Sequence, residues 1–168
     1  MKISLAGLKQ GVHDVHLDGS PAACGLQEHE HLRNPISVDC QVDKGPHHLY
    51  LLIRVRTAVR LECDRCLEEF DLQLDEKGRV VYSSDADLIS DSDGEIRHLD
   101  PNVQEIDISE EVREMLTLAL PLKRLCADDC KGLCSQCGTN LNEGSCQCRA
   151  TTVDSRWQVL KDLLDKKA

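Results

Sequence analysis

The sequence predicts an α+β fold: an antiparallel, β-rich N-terminal part, then a helix, a Cys-rich zinc module and a C-terminal helix. Apolar and polar residues alternate with a period of two through much of the first half, which is typical of half-buried strands. Helical periodicity begins only after residue 105, and six of the ten cysteines lie between Cys126 and Cys148. Only four of the 168 residues are Phe, Trp or Tyr. The core must therefore be aliphatic, and bound metal would add to its stability.

The strands of the first half are predicted from this alternation. Residues 36–42 alternate strictly and predict a strand, which the turn Gly45-Pro46 ends. Residues 48–63 predict one long bent strand or a pair of strands, with Cys63 at the end. Residues 70–82 predict a hairpin whose turn lies at Lys77-Gly78.

Two helices are predicted in the second half. Asp107-x-x-Glu110 is similar to a capping box, and the apolar residues that follow at helical spacing are Ile108, Val112, Met115, Leu116 and Ala119. Pro121 would end this helix. Asp154 or Ser155 would cap a final helix that carries Trp157, Leu160 and Leu164.

Charge divides the chain into three predicted parts: a β-rich part at 1–84, an acidic linker at 85–104, and the helices with the zinc module at 105–168. The last part would form one compact unit with the first through a shared zinc site. Residues 68–115 hold 16 acidic and four basic residues, within a chain of net charge -10. Phosphate repels such a chain on average, so tight sequence-independent binding of nucleic acid is disfavoured. A basic protein partner suits it better.

Eight cysteines follow the spacing of metal ligands, in the strings Cys63-x2-Cys66 and Cys126-x3-Cys130-x3-Cys134-x2-Cys137-x8-Cys146-x-Cys148. Zinc prefers four thiolates in a tetrahedron, and two cysteines two to four residues apart supply two of them from one turn. We expect two structural zinc sites. One is local, formed by Cys134, Cys137, Cys146 and Cys148, with Gly138 and Gly144 permitting its turns. Cys63, Cys66, Cys126 and Cys130 form the other, which would join distant ends of the fold.

Other uses of these residues are weaker. Disulfides persist in oxidising compartments, whereas the first ten residues have no signal-peptide core, so we expect a cytoplasmic protein with reduced thiols. No apolar stretch is long enough for a membrane span, so no membrane partner is expected. His29-Glu30-His31 is more typical of a surface loop than of a metal site. Residues 89–100 are similar to a calcium-binding loop but lack its first carboxylate, so we expect a solvated linker there. Closed four-thiolate sites leave no open position for catalysis, so we expect no enzyme activity.

Two stretches carry a resemblance to a known family. The first is Leu61-Glu62-Cys63-Asp64-Arg65-Cys66-Leu67; the second runs from Leu118-Ala119-Leu120-Pro121-Leu122-Lys123 through Cys126, Cys130-Lys131-Gly132-Leu133-Cys134, Cys137-Gly138, Asn140-Leu141-Asn142 and Gly144 to Cys146 and Cys148. With the acidic spacer they cover about residues 50–165, and they resemble the YceD family, the large ribosomal RNA subunit accumulation proteins. The resemblance implies a cytoplasmic bacterial factor needed for normal accumulation of 23S rRNA, from genes commonly beside that of a zinc-containing large-subunit ribosomal protein. Some relatives keep the two earlier pairs and lack the later four cysteines, which supports the grouping above.

We therefore expect a non-enzymatic, zinc-binding factor in large ribosomal subunit biogenesis. The large-subunit precursor would be its partner, through a basic ribosomal protein held by residues 68–115, with rRNA contacted directly or only indirectly. The residues expected to approach RNA are Lys123, Arg124, Lys131 and Arg149. The alternative is a thiol redox or metal-handling protein that uses Cys63 and Cys66. A zinc-ribbon transcription factor is disfavoured by the net charge.

Overall fold

The computed structural model describes residues 1–85, 96–100, 102–148 and Trp157. The chain divides into two compact units. The first comprises Met1–Asp64 and Glu68–Cys126, and the second comprises Arg65–Leu67 and Ala127–Ala168. Within the described residues, no helix is long and apolar enough to cross a membrane.

The first unit is built on strands. They are β1 (Lys2–Ser4), β2 (Gly11–Gly19), β3 (Ile36–Lys44), β4 (His48–Glu62), β5 (Glu69–Ser83), β6 (Ile96–His98) and β7 (Glu105–Asp107). A five-stranded sheet has the order β2-β3-β4-β5-β6, and β1 pairs with β7 in a separate antiparallel ribbon. Every neighbouring pair in the large sheet is antiparallel except β5 and β6, which are parallel. Helix α1 spans Ser109–Ala119. The predicted α+β fold with a cysteine-rich C-terminal region is confirmed; the predicted helix at 154–164 lies outside the described residues apart from Trp157.

The core lies on one face of the large sheet. Alternate residues of β3 and β4 face inward, and Val38, Leu51 and Val55 have no exposed area. Helix α1 packs against β4 and β5 and buries Val112 and Leu116 completely. Full burial of an aliphatic side chain stabilises a fold by about 1.5–3 kcal/mol. The aliphatic core predicted from the scarcity of aromatic residues is therefore one continuous cluster beneath the sheet.

The hairpin predicted for residues 70–82 is wrong. β5 is a single 15-residue strand paired with β4 along its whole length, and Gly78 lies opposite Ile53 in the middle of that pairing. A Cβ on Gly78 would lie 2.9 Å from the Met115 sulfur of α1. Glycine is therefore placed here by the close approach of the helix to the strand rather than by a turn.

Residues 85–104, which their acidic composition predicts to be a linker, contain a strand and two residues that pack against the core. β6 pairs with β5, with Val81 opposite Ile96, and Leu99 and Val103 pack against the core. At the start of α1, the backbone N–H of Ser109 donates to Asp107 Oδ1 at 2.9 Å. Residues 86–95, most of the region similar to a calcium loop, lie outside the described residues.

Candidate metal centres

The first pair of metal-binding cysteines follows directly from β4. The Cys63 backbone N–H donates to the Glu68 carbonyl at 2.9 Å, which closes a tight loop between β4 and β5. Leu67 takes a left-handed conformation with φ 60° to complete it, an arrangement uncommon for a residue other than glycine. Cys63 and Cys66 are 0% and 3% exposed. Strand pairing on both sides of the loop thus fixes two buried thiols.

Arg65, between these two cysteines, holds the segment around Cys130. Its guanidinium donates to the carbonyls of Asp128 at 3.3 Å and Cys130 at 2.8 Å, and its own carbonyl accepts from the Leu133 N–H at 2.9 Å. Gly132 has φ +74°, and a Cβ there would lie 2.7 Å from the Arg65 carbonyl oxygen. Only glycine fits this approach without a shift of the backbone.

The structure brings the cysteines together in the two groups of four that the spacing predicts. The groups are Cys63, Cys66, Cys126 and Cys130, and Cys134, Cys137, Cys146 and Cys148; within each group the sulfur atoms all lie within 4.8 Å of one another. Sulfurs bound to one tetrahedral zinc ion at about 2.3 Å stand about 3.8 Å apart. Each group could therefore hold a metal ion after small adjustments.

The two groups differ in exposure. Three of the four cysteines in the first group are buried, and only Cys126 is exposed. In the second group Cys137 and Cys148 are exposed, and Cys134 and Cys146 are half-buried. The thiols of the first group are therefore less exposed as a set than those of the second.

A short hairpin-like loop shapes the second group. The Cys134 N–H donates to the Thr139 carbonyl, the Gly138 N–H donates to the Cys134 carbonyl, both at 2.9 Å, and Leu133 bridges to Asn140. Gly138 has φ +74°, so its predicted role in the turn is supported. Gly144 has no left-handed φ and nothing within 4 Å of an added Cβ.

Electrostatics in the second group favour a bound cation. Hydrogen bonds from the Thr139 hydroxyl, 3.2 Å from Cys137 Sγ, and from the Thr139 N–H lower the pKa of Cys137 to about 6. The hydrogen bond with Cys137 raises the pKa of Cys148 to about 12. Four thiols at this spacing cannot all ionise alone, because each thiolate disfavours the next. A divalent metal ion removes that conflict.

Asn142 supports the first group from the loop of the second. Its Nδ2 donates to Cys130 Sγ at 3.3 Å, and its Oδ1 accepts from the Lys131 N–H at 2.8 Å. Asn140 Oδ1 accepts from Asn142 Nδ2 at 2.9 Å and so orients the amide. The sequence motif contains both asparagines, but their spacing alone gave no role to either.

The predicted RNA-approaching residues have different surroundings. Lys123 and Lys131 are exposed, and Arg149 lies outside the described residues. Arg124 lines a groove of about 780 Å³ together with His31, Arg33 and Arg60. The same groove is also lined by the acids Glu30, Glu62, Glu69 and Asp71. Sequence reasoning considered His31 only as part of a surface loop or metal site and gave Arg33 and Arg60 no role, since nothing in their spacing links them to Arg124.

His31, the second histidine of His29-Glu30-His31, has a structural role. The Arg124 guanidinium donates to His31 Nε2 at 3.1 Å, and His31 Nδ1 donates to the Arg60 carbonyl at 3.1 Å. Neither of the two groups that could hold a metal ion among the described residues contains a histidine.

Cys24 and Cys40 belong to neither cysteine group. Both are buried, and Cys24 ends a short 3₁₀ turn, Pro21–Cys24. Burial raises the pKa of both thiols, that of Cys40 to about 12. They are core residues.

The sheet, the helix and the two thiol groups define a cysteine-rich α+β protein that could hold two metal ions. Residues 51–164 match the model of the family described as large ribosomal RNA subunit accumulation protein YceD. The chain belongs to this YceD family.

Known relatives agree with the assignment. The chain is 29% identical over 158 residues to the chloroplastic large ribosomal RNA subunit accumulation protein YCED homolog 1 of Arabidopsis thaliana, covering 79% of this chain and 49% of that protein. The protein of the same name from Zea mays is 33% identical over 149 residues, covering 72% of this chain and 51% of that protein. An uncharacterized protein of Mycobacterium leprae is 26% identical over 134 residues, covering 77% and 59%. The chain thus spans about half the length of the first two relatives. No solved structure matches it.

Proposed function

We propose that this protein is a non-enzymatic, zinc-binding factor in large ribosomal subunit biogenesis that supports the accumulation or processing of 23S rRNA. The observation that carries the proposal is the match of residues 51–164 to the YceD family. Two relatives are named for accumulation of the large ribosomal RNA subunit. We place the protein in the cytoplasm, where thiols stay reduced and available for metal.

Zinc is the proposed metal because each group offers four thiols and no oxygen ligand. Tetrathiolate tetrahedra are typical of structural zinc and leave no coordination position for a catalytic water. Metal affinity at such sites is also folding free energy. We therefore assign both ions to structure, and this supports the proposal that the protein has no enzyme activity.

Burial argues against thiol exchange as the function. A redox pair needs an accessible, ionised thiol, whereas Cys63 and Cys66 are 0% and 3% exposed. Two tightly held zinc ions and unreactive thiols would support a structural role. Rapid oxidation of Cys63 and Cys66 would instead support exchange.

The proposed partner is the large-subunit precursor, approached through a basic ribosomal protein. Residues 68–115 carry the whole acidic excess of the chain, and opposite charge speeds association and selects partners. Lys123, Arg124, Lys131 and Arg149 would contact rRNA only at close approach. A chain of net charge -10 binds RNA weakly on its own.

The test is the ratio of large- to small-subunit rRNA in a strain that lacks the gene. We expect less large-subunit rRNA, with rescue by the intact chain but not by one in which Cys63 is replaced, Cys63→Ser. Ser135→Ala, a change at an exposed position in the second cysteine loop, is the matched control and should rescue fully. An unchanged ratio in the deletion strain would exclude the proposed function.

A second experiment separates protein from RNA recognition. Neutralising the acids Asp85, Asp87, Asp91, Asp93 and Glu95 should weaken binding to a basic protein partner, and more so at low salt, because exposed charges are screened over about 8–10 Å. Replacing Lys123, Arg124 and Lys131 should have little effect on that binding. Tight binding of naked RNA at physiological salt, unaffected by loss of the acids, would refute the protein-partner mechanism even if the rRNA defect is real.

A further inference from the structure

The free edge of strand β2 is a long, regular backbone surface. Its nine residues pair with β3 without a bulge, from Gly11 opposite Lys44 to Gly19 opposite Ile36. β2 ends the sheet, and no described strand lies on its other side. An edge of this kind presents a row of unpaired N–H and C=O groups that another strand can use.

Several of the usual protections of such an edge are missing from β2. Its sequence, GVHDVHLDG, has neither lysine nor proline, its continuous register contains no bulge, and its charged residues Asp14 and Asp18 are both acidic. The opposite edge of the sheet, β6, is only three residues long, and a short edge strand is itself a protection. The two edges therefore differ in how readily they accept a further strand.

The inward side of β2 leaves the core incompletely covered. Val15 and Leu17 pack against the core but are half-buried, although their partners Cys40 and Val38 on β3 are 2% and 0% exposed. Apolar side chains of an added strand would lie beside Val15 and Leu17 and remove this area from water.

The outward side of the same edge is acidic. Asp14 and Asp18 point outward from β2, as Asp39 and Asp43 do from β3, and all four alternate with the inward residues. Asp39 is paired with Arg56 at 2.5 Å and with His16 at 2.7 Å. Asp18 lies 3.3 Å from His16 Nε2, and Asp14 accepts from Gln41 Nε2 at 3.3 Å. Within the described residues Asp14, Asp18 and Asp43 have no lysine or arginine partner. Residues directly opposite on adjacent strands have Cβ atoms about 4.5–5.5 Å apart, so basic side chains on an added strand would pair with Asp14 and Asp18.

We propose that the β2 edge is the docking site for an extended, basic segment of a partner protein, which adds to the sheet as a further strand. Its lysine or arginine residues face Asp14 and Asp18, and its alternate apolar residues cover Val15 and Leu17. Main-chain hydrogen bonds supply affinity in this mode of recognition, and the side-chain alternation supplies specificity. The inference depends on the proposed function only in taking the basic segment from a ribosomal protein.

The test uses the zinc-loaded full chain and a synthetic peptide, as long as β2, that alternates Lys and Val. Hydrogen exchange of the amides of residues 11–19 should slow by about tenfold when free peptide is about ten times its Kd. A peptide of the same composition with all Lys before all Val cannot place its charges on one face of a strand, and it should bind at least about tenfold more weakly.

Paired variants separate docking from general attraction. Asp14→Lys with Asp18→Lys should weaken peptide binding by about tenfold or more. Glu28→Lys with Glu62→Lys makes the same change in net charge at exposed positions off β2 and should change the Kd by less than about twofold. Unchanged exchange of β4 amides would show that both variants remain folded.

Three results would overturn the proposal: protection that avoids β2, equal binding of the two peptides, or equal loss in the two variants. A dimer that forms without peptide and protects β2 would assign the edge to a second copy of the chain instead. Because the peptide assay involves no rRNA, docking that succeeds while the deletion strain has a normal rRNA ratio would refute the proposed function alone.

Discussion

The side chain of Asn142 shows how one residue supports a thiol group to which it contributes no ligand. Its amide donates to Cys130 Sγ and accepts from the Lys131 N–H. Hydrogen bonds of this kind orient a ligand and stabilise its thiolate, and their removal typically weakens metal binding by about 10–100-fold. A loop of the exposed thiol group therefore influences the buried one.

Asn142→Asp should weaken metal binding in the group that contains Cys130. The aspartate keeps an acceptor for the Lys131 N–H but removes the donor to sulfur and adds a negative charge beside the thiolate. We expect a loss of about tenfold or more, measured by competition with a chromophoric chelator and by the charge-transfer absorption of bound cobalt. Glu143→Gln, at the next residue, is the control. Equal affinities for the wild type and both variants would show that Asn142 has no such role.

His16 provides a residue-scale test of pH dependence. Hydrogen bonding to Asp39, at 2.7 Å, and the charge of Asp18 raise the pKa of His16 above its ordinary 6.5. The protonated histidine therefore stabilises the fold fully below pH 6.5, and this contribution is lost as pH rises through the higher folded pKa. Asp39→Asn should lower the His16 pKa, as followed by NMR titration of the imidazole. An unchanged titration curve would contradict the pairing.

At the scale of elements, glycines with similar sequence surroundings have different roles. Gly132 has a left-handed φ and a backbone carbonyl 2.7 Å from any added Cβ, while Gly144 has neither constraint. The motif contains both, and sequence alone assigned a turn to Gly144 and none to Gly132. The distinction depends on Arg65, which lies 67 residues before Gly132 in the chain. Local sequence patterns therefore cannot predict it.

Gly132→Ala should destabilise the loop that carries Cys130. The left-handed conformation costs a residue with a Cβ about 1–2 kcal/mol, and contact with the Arg65 carbonyl would add to this. We expect a lower melting temperature and faster release of metal to a chelator. Gly144→Ala, the matched control, should leave both values near those of the wild type. Equal melting temperatures and equal rates of metal release in Gly132→Ala and Gly144→Ala would mean that the loop tolerates a Cβ at residue 132.

Strands with strict alternation were predictable because one face of a half-buried sheet must be apolar. Residues 36–42 and 48–63 show this in β3 and β4. Gly78 misled the prediction because glycine is equally suited to a turn and to close contact with a helix. β6 is too short to show a period. The group of Cys134, Cys137, Cys146 and Cys148 was predictable because ligand spacing is a local property, whereas joining Cys63 and Cys66 to Cys126 and Cys130 depended on counting two sets of four and on the family resemblance. The roles of Arg65, Asn142 and His31 depend on hydrogen bonds formed only after folding.

For the whole molecule, the two thiol groups should have unequal effects on stability. Cys63→Ser disturbs a fully buried thiol at the end of the central strand β4 and opens a loop closed by a ligand about sixty residues away. We expect loss of one zinc ion and a lower midpoint in urea with faster hydrogen exchange in β4. Native mass spectrometry counts the zinc ions.

Cys146→Ser is the comparison for that measurement. It should also remove one zinc ion, but faster exchange should be confined to residues 126–150, because its group is exposed and closes only a short loop. Equal loss of urea stability in the two variants would contradict the assignment. A disulfide at Cys63 or Cys66, or one metal shared by Cys63 and Cys134, would refute the grouping itself.

During synthesis of the chain, Cys63 and Cys66 of the first thiol group are made well before Cys126 and Cys130. At about 5–20 residues per second, Cys126 is synthesised roughly 3–12 seconds after Cys66. The hairpin of β4 and β5 has only local pairing to form, which is fast once its residues are available. For several seconds a nascent chain therefore carries two thiols on a finished loop with half of their coordination set still missing. Any ion that the pair met in this interval would be held by only two ligands and would be easily lost, so durable loading would begin only when the later cysteines emerge.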